Sequence, residues 1–515
     1  MESGAVSFLP TIVRNTEMTG TQSGINALLV LAATGPAVDA LADQASSRSR
    51  SDAPGTVAKA NSNRVQPYTK NPRYWQYKGQ PVLLLGGSKT DHIFLATDLE
   101  AHLDEMQEVG ANYVRCTMSQ REGPELKPHR QLPDGTFDLD QWNEDYWSRF
   151  ANCLKWCDER GIIIQIEVWD RFDFSTTHWD SSPWNPTNNV NYTHEQTGFA
   201  AKYPRHSSQD QQPFFHSIKG MARYSRKLDP VRMRQEAFVD KMLSHSLPYG
   251  NVLYCMNNET STPAAWGQYW IQFIKAKAAG KGVTVCTTDM FDDAFMGEKA
   301  EHTPTIFKDV EHYMFADISQ VNSRNYDERH WDSLLWLLRQ VNTHPRPSNH
   351  TKIYGGGYYT FGTGGPEDGV ERFWRNILGG SASARFHRPK AGNGLIDFAK
   401  ASIKAARILE SLIKPWDITP QMNLLAERKS NEAYLAAKPG ERYALYFTNG
   451  GSVTLDLSDA PGSFEVTWIS VSMGVVTQSS AAGGYRLMEK TIQGGGVVKI
   501  SAPYKGGWVA AVVKQ

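Results

Sequence analysis

The stretch VLYCMNNETS (Val252–Ser261) runs from an apolar, strand-like segment directly into two amides and a carboxylate. Asn257, Asn258 and Glu259 end the segment, a Thr-Ser-Thr-Pro turn follows, and a helical pattern then begins. A carboxylate in this position belongs either to a surface loop or to the mouth of a barrel, because (β/α)₈ barrels collect their active-site residues at the carboxyl-terminal ends of the strands.

The rest of the chain repeats the same alternation of a strand-like run and a helix-like run. Eight such units predict an α/β fold, a (β/α)₈ TIM barrel. A doubly wound open sheet is the alternative, but it would place a Gly-rich phosphate turn after strand one, and GGSKTDH (86–92) has no GxGxxG pattern. The strand-like runs are VLLLGG (82–87), NYVRCTM (112–118), IIIQIEVWD (162–170), NVLYCMNNE (251–259), VTVCTTDM (283–290), YMFADISQ (313–320), KIYGGGYY (352–359) and ASARFHRP (382–389).

The ends of the chain differ from this pattern. After Pro415-Trp416, short strand-like runs separated by Gly, Asn and Pro predict a small all-β sandwich domain. The apolar run 25–40 ends in small residues, as signal peptides do, which predicts a secreted or periplasmic protein. The five cysteines, which we interpret as buried free thiols, argue mildly against export. The predicted organisation is a signal peptide (1–40), a disordered linker (41–66), a catalytic barrel (67–415) and a C-terminal β-sandwich (416–515).

The charge of the chain is balanced. There are 54 Lys and Arg residues and 54 Asp and Glu residues, so the formal net charge is zero. This gives no electrostatic reason to expect nucleic acid or an anionic membrane as a partner. No HExxH, Gly-x-Ser-x-Gly or CxxC pattern occurs, so we predict neither a metal nor an organic cofactor.

Period-two alternation indicates which polar residues near the strand ends face the barrel axis. In strand three, Ile164, Ile166 and Val168 are expected to face the helices, and the residues between them are expected to face inward. The same argument in the other strands, with the residues at the strand ends, predicts a ring of ionisable side chains at the barrel mouth: Arg115, Glu167, Glu259, Asp289, Asp317, Arg385 and His387. Trp169 is also expected to face inward, Asp170 lies at the rim, Asn258 lies beside Glu259, and Tyr358 is a loop aromatic; these four are predicted to bind substrate as well.

Several carboxylates with interleaved Arg and His fit glycoside hydrolysis, which needs one carboxylic acid and one carboxylate. We predict Glu259 as the general acid, with Asp317 or Glu167 as its partner. The remaining ring members are predicted to bind a carbohydrate substrate. Each residue also has a structural interpretation: Glu167 could be an ion-pair partner of Arg115, Asp317 could cap a turn, and the aromatic residues could belong to the core.

The pattern resembles the clan A retaining glycoside hydrolases, in particular those with an opening hairpin and a C-terminal β-sandwich of the collagen-binding type. The hairpin here reads NPRYWQYKGQPVLLLGGS (71–88), and Asn258-Glu259 and Arg115 match the Asn-Glu of strand four and the inward Arg of strand two. The resemblance implies that Glu259 is the acid/base. It also implies a nucleophilic Glu at the end of strand seven, where IYGGGYYTFG (353–362) has no carboxylate.

This departure leaves three alternatives: the second carboxylate lies at Asp317 or Glu167, the mechanism is inverting, or the barrel binds sugar without cleaving it. A polysaccharide lyase is a further alternative. The substrate, the linkage and the oligomeric state are not determined by the sequence.

Overall fold

The computed structural model describes residues 61–120, 126–207, 212–356, 361–471 and 486–515, and within the last range the side chains from residue 490 onward. The predicted signal peptide, most of the predicted linker and Tyr358 lie outside the described residues, so export stays a prediction. Residues 61–66, predicted as the end of the linker, instead contact the barrel: Arg64 Nη1 donates to the Leu247 carbonyl at 3.0 Å, and the Val65 amide donates to the Gly250 carbonyl at 2.8 Å.

A three-stranded antiparallel sheet precedes the barrel, with strands Gln66–Tyr68, Asn71–Tyr77 and Gln80–Val82. The predicted hairpin turn is confirmed, since Lys78 and Gly79 both have positive φ, as a tight two-residue turn requires. Trp75 in the central strand is fully buried, and its indole donates to Asn349 Oδ1 at 2.8 Å inside the barrel. This sheet therefore covers one end of the barrel.

The predicted (β/α)₈ barrel is confirmed. Strands two to five pair in parallel and in sequence, and strand eight pairs in parallel with strand one, which closes the barrel. Strands six and seven form a parallel pair that is linked to strand five by the bridge Met290–Asp317 and to strand eight by the bridge Ile353–Phe386. The strands are Leu84–Gly87, Tyr113–Thr117, Ile163–Asp170, Val252–Asn258, Thr287–Thr288, Ala316–Asp317, Ser348–Asn349 and Ser383–Phe386.

A helix follows each strand and packs outside the barrel. The loop after strand three carries two further short helices, Thr176–Asp180 and His194–Thr197, before its barrel helix begins. The strand residues predicted to face the barrel helices, such as Ile164 and Ile166, are fully buried. The loop after strand two also carries a two-stranded ribbon, His129–Gln131 and Phe137–Trp142. Within the described residues, the eight barrel helices are Leu99–Glu108, Glu144–Glu159, Asp229–Ser246, Ala264–Ala279, Pro304–Lys308, Asp327–Val341, Pro366–Gly379 and Asp397–Leu412.

Strand seven begins earlier than predicted. The sequence placed it at 352–359, whereas its ladder covers Ser348–Asn349 and its bridge to strand eight lies at Ile353. The pattern missed this start because the inward side chain here is polar: Asn349 bonds to Trp75, Tyr113 and Gln165 in the barrel interior. Lys352 consequently lies near the carboxyl-terminal end of the strand and not at its beginning.

The predicted C-terminal sandwich is confirmed as two antiparallel sheets. Its core contains Leu445, Phe447 and Trp508, and the outer face of one sheet packs on barrel helices, where Trp374 stacks on Tyr446 at 5.7 Å. The larger sheet contains, in spatial order, Thr419–Pro420, Ala433–Lys438, Arg442–Phe447, Trp508–Lys514, Ser463–Ser470 and Arg486–Gln493; the smaller one contains Leu425–Ala426, Ser452–Asp456 and Val497–Ser501.

All five cysteines are buried and unpaired, as predicted. Among the described residues, no helix combines the length and the hydrophobicity needed to cross a lipid bilayer.

Candidate active site

Glu259 leaves strand four in an unusual backbone conformation. Its φ is 52°, a left-handed value that costs a non-glycine residue about 1–3 kcal/mol. The next residue holds this conformation in place, because the Thr260 amide donates to the Met290 carbonyl at 2.8 Å and Thr260 forms a parallel bridge with Phe291. Pairing with strand five therefore maintains the strained backbone of Glu259, and this conformation directs the carboxylate into the barrel mouth.

Three donors converge on one oxygen of Glu259. Lys352 Nζ lies 2.6 Å from Oε1, Tyr354 Oη lies 3.0 Å away, and Gln320 Nε2 lies 3.0 Å away. The other oxygen, Oε2, lies 3.8 Å from Arg171 Nη2. Since Oε1 carries most of the contacts and the side chain is 19% exposed, Oε2 is the freer oxygen.

The charges around Glu259 keep it ionised. Burial raises the pKa of the carboxyl, but the ammonium of Lys352 and the guanidinium of Arg171 outweigh burial and lower the pKa well below its ordinary value. A carboxylate in this environment holds no proton in the resting protein at neutral pH. Lys352 and Arg171 therefore favour the ionised form of Glu259, and its role as the general acid stays a prediction.

The Glu259 carboxylate borders a cavity of about 500 Å³ at the carboxyl-terminal end of the barrel. Loops that follow strands three to seven form its walls, which carry both aromatic and charged side chains. The lining residues are Arg171, Phe172, Glu259, Ser261, Asp292, Asp293, Phe295, Met296, Glu301, His302, Gln320, Ser323, Arg324, Tyr354 and Phe361.

A larger cavity of about 890 Å³ lies at the opposite end of the barrel. Gly250 and Val283, which precede strands four and five, border it, and it contains none of the predicted site residues. Since barrel enzymes place their chemistry at the carboxyl-terminal ends of the strands, we assign the candidate site to the smaller cavity.

Arg171 joins two carboxylates of the smaller cavity. Its Nη1 lies 2.9 Å from Asp292 Oδ2, while its Nη2 faces Glu259. Asp292 comes from the loop after strand five, where its amide donates to the Thr260 carbonyl at 3.1 Å. With 37% of its side chain exposed, Asp292 is open to a ligand. Glu259 and Asp292 thus flank one guanidinium.

Glu167 and Arg115 belong to a separate, fully buried network. Arg115 Nη2 lies 2.6 Å from Glu167 Oε2, and its Nη1 lies 2.7 Å from Asp91 Oδ1. His387 Nδ1 lies 3.3 Å from the same Asp91 oxygen, and Arg388 also pairs with Asp91. Burial lowers the pKa of His387 to about 3, so this imidazole is neutral. The structural interpretation of Glu167 as the ion-pair partner of Arg115 is confirmed, and neither residue borders the cavity.

Asp317 and Arg385 are also enclosed in the barrel interior. Asp317 accepts hydrogen bonds from Gln165 at 2.6 Å and Thr351 at 3.2 Å and from the Ser319 hydroxyl, and burial raises its pKa. Arg385 donates to the Thr351 carbonyl and to Ser88 Oγ. Because Asp317 has its acceptors satisfied and does not border the cavity, the geometry disfavours it as the partner of Glu259.

The prediction that Trp169 faces the barrel axis is wrong. Its indole lies in the helix layer, 5.1 Å from the Trp270 ring and 5.4 Å from the Phe238 ring. Its ladder partner Asn257 also turns toward this layer and accepts from the Trp266 indole at 3.0 Å. The period-two pattern fails at this rim because burying a large indole among helix aromatics outweighs strict alternation.

Three further predicted residues are buried around the site. Asp170 caps a turn, accepting from the Phe172 amide at 3.0 Å. Asp289 accepts from Asn257 Nδ2 at 2.9 Å, and burial raises its pKa to about 7. Asn258 is the one that contacts the site, because its Oδ1 accepts from Lys352 Nζ at 2.5 Å. Tyr358 lies outside the described residues.

The sequence reasoning missed five residues that surround Glu259. Lys352 was assigned to the wrong end of strand seven. Gln320 and Tyr354 belonged to the predicted strands six and seven but were not selected as site residues. Arg171 and Asp292 lie in loops, where no periodic pattern indicates orientation. A search for polar residues just after each strand would have found Arg171 and Asp292. Within the described part of the chain, no three His, Cys, Asp or Glu side chains come together as metal ligands. The missed residues are Arg171, Asp292, Gln320, Lys352 and Tyr354.

Comparisons with known proteins agree with this architecture. A family described as a domain of unknown function (DUF6298) matches residues 131–326. No curated protein matches the chain. Among solved structures, the chain is similar to a glycoside hydrolase family 5 protein from Bacteroides vulgatus ATCC 8482, with 12% sequence identity and a TM-score of 0.59, over 88% of this chain and 95% of that one.

A second solved structure, described as a glycoside hydrolase, is 11% identical with a TM-score of 0.58, and the match covers 89% of this chain and 98% of that one. The resemblance to clan A barrels with a C-terminal sandwich is therefore confirmed for the fold, over nearly the whole length of these proteins. At such low identity the similarity shows the fold alone.

Proposed function

We propose that this chain is a glycoside hydrolase that cleaves an oligo- or polysaccharide at the carboxyl-terminal mouth of its barrel. Glu259 is the essential carboxylate, and Asp292 is the second one. The observation that carries the proposal is the position of Glu259: a carboxylate at the end of strand four, held in a strained backbone by strand five, with one oxygen open to a cavity of about 500 Å³.

Asp292 replaces the two partners predicted from sequence. Glu167 and Asp317 lie in the sealed barrel interior, where protein donors occupy their oxygens. Asp292 borders the same cavity as Glu259 and lies on the other side of Arg171. Among the described residues it has the exposure and the position that a second reacting carboxylate needs.

The cavity walls fit a sugar. Phe172 borders the cavity on the strand-three side, and Phe295 and Phe361 border it from later loops. Aromatic faces bind the apolar faces of sugar rings, while Gln320, Ser323 and Ser261 offer hydrogen bonds to hydroxyl groups. Four carboxylates and two arginines border the cavity, and the Lys352 ammonium pairs with one of these carboxylates, so the cavity has no net positive charge that would favour a polyuronate over a neutral glycan.

Lys352 supports a second candidate, a glycan-binding barrel without catalysis. Its ammonium, 2.6 Å from Glu259, lies at the end of strand seven, where the resemblance leads one to expect a nucleophilic carboxylate. If this ion pair only stabilises the fold, the cavity binds sugar and cleaves nothing.

The test compares Glu259→Gln and Asp292→Asn with the wild-type protein on soluble β-glucan, β-mannan, xylan and polygalacturonate. Release of reducing ends measures hydrolysis, and affinity electrophoresis measures binding. We expect wild-type activity on a neutral polysaccharide and a loss of roughly 10²–10⁴-fold in kcat for each variant, with binding retained.

Glu301→Gln is the matched control, because Glu301 borders the same cavity and the change removes the same charge. Wild-type protein that binds a polysaccharide without releasing reducing ends would support the binding-only candidate. Products that absorb in the ultraviolet as unsaturated sugars would instead identify a lyase.

A further inference from the structure

We propose that the C-terminal sandwich takes part in substrate binding, because its residue Asn431 positions one wall of the cavity that Glu259 borders. This wall consists of residues 319–325 and 361–365, which follow strands six and seven, and we call it the sandwich-side wall. This role rests on the proposed function and deepens it, because it assigns part of the substrate affinity to a residue outside the barrel. The wall supplies four residues to the cavity: Gln320, Ser323, Arg324 and Phe361.

The backbone of the sandwich-side wall is strained. Arg324 and Phe361 have left-handed φ values of 59° and 58°, and the Arg324 amide donates to the Phe361 carbonyl at 3.1 Å. Such conformations are unfavourable for non-glycine residues and persist only where the surrounding structure holds them. Because the Phe361 side chain is 52% exposed, burial of its ring does not by itself fix this segment. The wall therefore depends on contacts made behind it.

The barrel helix Pro366–Gly379 provides these contacts. Arg372 Nη1 donates to the Asn322 carbonyl at 2.6 Å, and Arg372 Nε donates to Asp368 Oδ2 at 3.0 Å. The same Asp368 oxygen accepts from the Gly364 amide at 2.8 Å. Since Arg372 is fully buried, its guanidinium makes these contacts away from solvent. Arg372 and Asp368 thus attach both segments of the wall to this helix.

Arg375, about one turn further along the same helix, connects these residues to the sandwich. Its Nη2 lies 3.8 Å from Asp368 Oδ1, and its Nη1 donates to Asn431 Oδ1 at 2.8 Å. The Tyr434 hydroxyl donates to the same Asn431 oxygen at 2.8 Å, which fixes the orientation of the side-chain amide. Arg375 is fully buried as well. Contacts therefore run continuously from Asn431 through Arg375 and Asp368 to the wall.

Asn431 also holds the helix that follows the first segment of the wall, Asp327–Val341. Its Nδ2 donates to Asp327 Oδ1 at 2.9 Å and to Glu371 Oε2 at 3.0 Å, and its backbone amide donates to Glu328 Oε1 at 2.6 Å. Glu371 belongs to the helix that follows the second segment. One sandwich residue thus bonds to both helices that continue from the wall.

Asparagine is the residue type that fits this position. Two bonds accepted by Oδ1 and two donated by Nδ2 use the full hydrogen-bonding capacity of the side chain. The φ of Asn431 is 55°, a left-handed value that asparagine adopts more readily than most residues. An aspartate here would lack the donors and would place a third negative charge beside Asp327 and Glu371.

Hydrogen exchange tests the positioning role without a substrate. Asn431→Ala removes the four side-chain bonds, so we expect the Arg324 and Gly364 amides to exchange about 3- to 10-fold faster than in the wild type. Arg442→Ala is the matched control, because Arg442 pairs with Asp417 at 3.7 Å at the other end of the same strand pair. This control should leave the exchange of both amides unchanged.

Two results of the exchange experiment would overturn the role of Asn431, whether or not the protein cleaves a glycan. One is wild-type exchange of the Arg324 and Gly364 amides in Asn431→Ala. The other is equally faster exchange throughout the barrel, which would mean that Asn431 stabilises the whole fold and does not position the wall.

Kinetics on the neutral polysaccharide that the wild-type protein cleaves test the consequence for substrate. Asn431→Ala should raise KM about 3- to 10-fold and change kcat less, because the wall binds sugar while Lys352 holds Glu259 from strand seven. Asn431→Gly tolerates the left-handed φ but lacks the side chain, so it should raise KM equally.

A lower kcat at unchanged KM would overturn the assignment of substrate affinity to Asn431. Wild-type KM in Asn431→Gly would do the same for the side-chain bonds. Wild-type protein that neither cleaves nor binds any of the polysaccharides would contradict the proposed function itself, and the exchange rates would still decide whether Asn431 positions the wall.

Discussion

Arg115 and Glu167 form a two-pronged ion pair inside the barrel, with Nε 2.6 Å from Oε1 and Nη2 2.6 Å from Oε2. Both side chains are fully buried, and the remaining Arg115 nitrogen pairs with Asp91. Two carboxylates thus share one guanidinium in a region closed to solvent. The inward Arg on strand two accordingly organises the barrel interior and does not face the cavity.

Glu167→Gln should therefore destabilise the protein. Removing one charge of a buried network leaves Arg115 incompletely compensated, at a cost of about 3–5 kcal/mol in the free energy of unfolding. Chemical denaturation measures the change. The control is Glu144→Gln, which breaks an exposed pair with Lys241 and should cost about 1 kcal/mol or less. A Glu167→Gln protein that is as stable as wild type yet inactive would return Glu167 to the list of catalytic candidates.

Trp169→Ala should act on stability and leave substrate affinity unchanged. The indole is buried among Phe214, Phe238, Trp266 and Trp270, so its truncation should cost about 3–5 kcal/mol. Thermal unfolding reports the loss, and KM measured well below the unfolding temperature should match the wild-type value. A raised KM with unchanged stability would instead mean that Trp169 contacts substrate.

Phe361→Ala should weaken substrate binding. This ring is 52% exposed, borders the cavity, and lies 5.2 Å from the Tyr354 ring. Loss of one stacking face should raise KM by about 3- to 10-fold, with little change in kcat. Tyr504→Ala is a matched control, since Tyr504 is 56% exposed on the distant sandwich. Equal effects of the two variants would exclude a specific role for Phe361.

Asp289 should make stability depend on pH. Burial raises its pKa from 3.8 in the unfolded chain to about 7 in the folded protein, so the folded state binds this proton more tightly. The resulting contribution to stability is fully present below a pH of about 4 and is lost as the pH rises toward 7. Asp289→Asn should flatten this slope in urea unfolding measured across the range. Asp317, whose pKa burial also raises, adds a slope of the same sign, so some dependence should remain. An unchanged slope would show that Asp289 stays ionised in the folded protein.

The sequence alone determined the fold and one site residue. Eight alternating strand and helix patterns specify the barrel. Each element must bury one apolar face, so its apolar residues recur with a local period, and this period can be recognised without knowing which strands are neighbours. The apolar run that ends at Asn258-Glu259 places a carboxylate at the barrel mouth for the same reason. The composition change after Pro415 identified the sandwich.

The orientation of the other ring members was only partly predictable. Alternation correctly predicted that Arg115 and Glu167 face inward, but it could not show that the two side chains form an ion pair with each other beneath the cavity. It failed at Trp169, where packing against helices from distant parts of the chain decided the direction of the side chain. The predicted position of strand seven was too late in the chain, because polar residues fill the inward positions of this strand and leave it without an apolar pattern.

Only the tertiary structure decided which groups meet Glu259. Lys352 reaches it from 93 residues away along the chain, and Arg171 connects it to Asp292 across two different loops. Local sequence encodes periodicity and turns, whereas contacts across a barrel mouth depend on the register of eight strands and the course of the loops between them. The position of the Glu259 carboxylate at the end of strand four could therefore be predicted from the sequence, whereas its contact with the Lys352 ammonium could not.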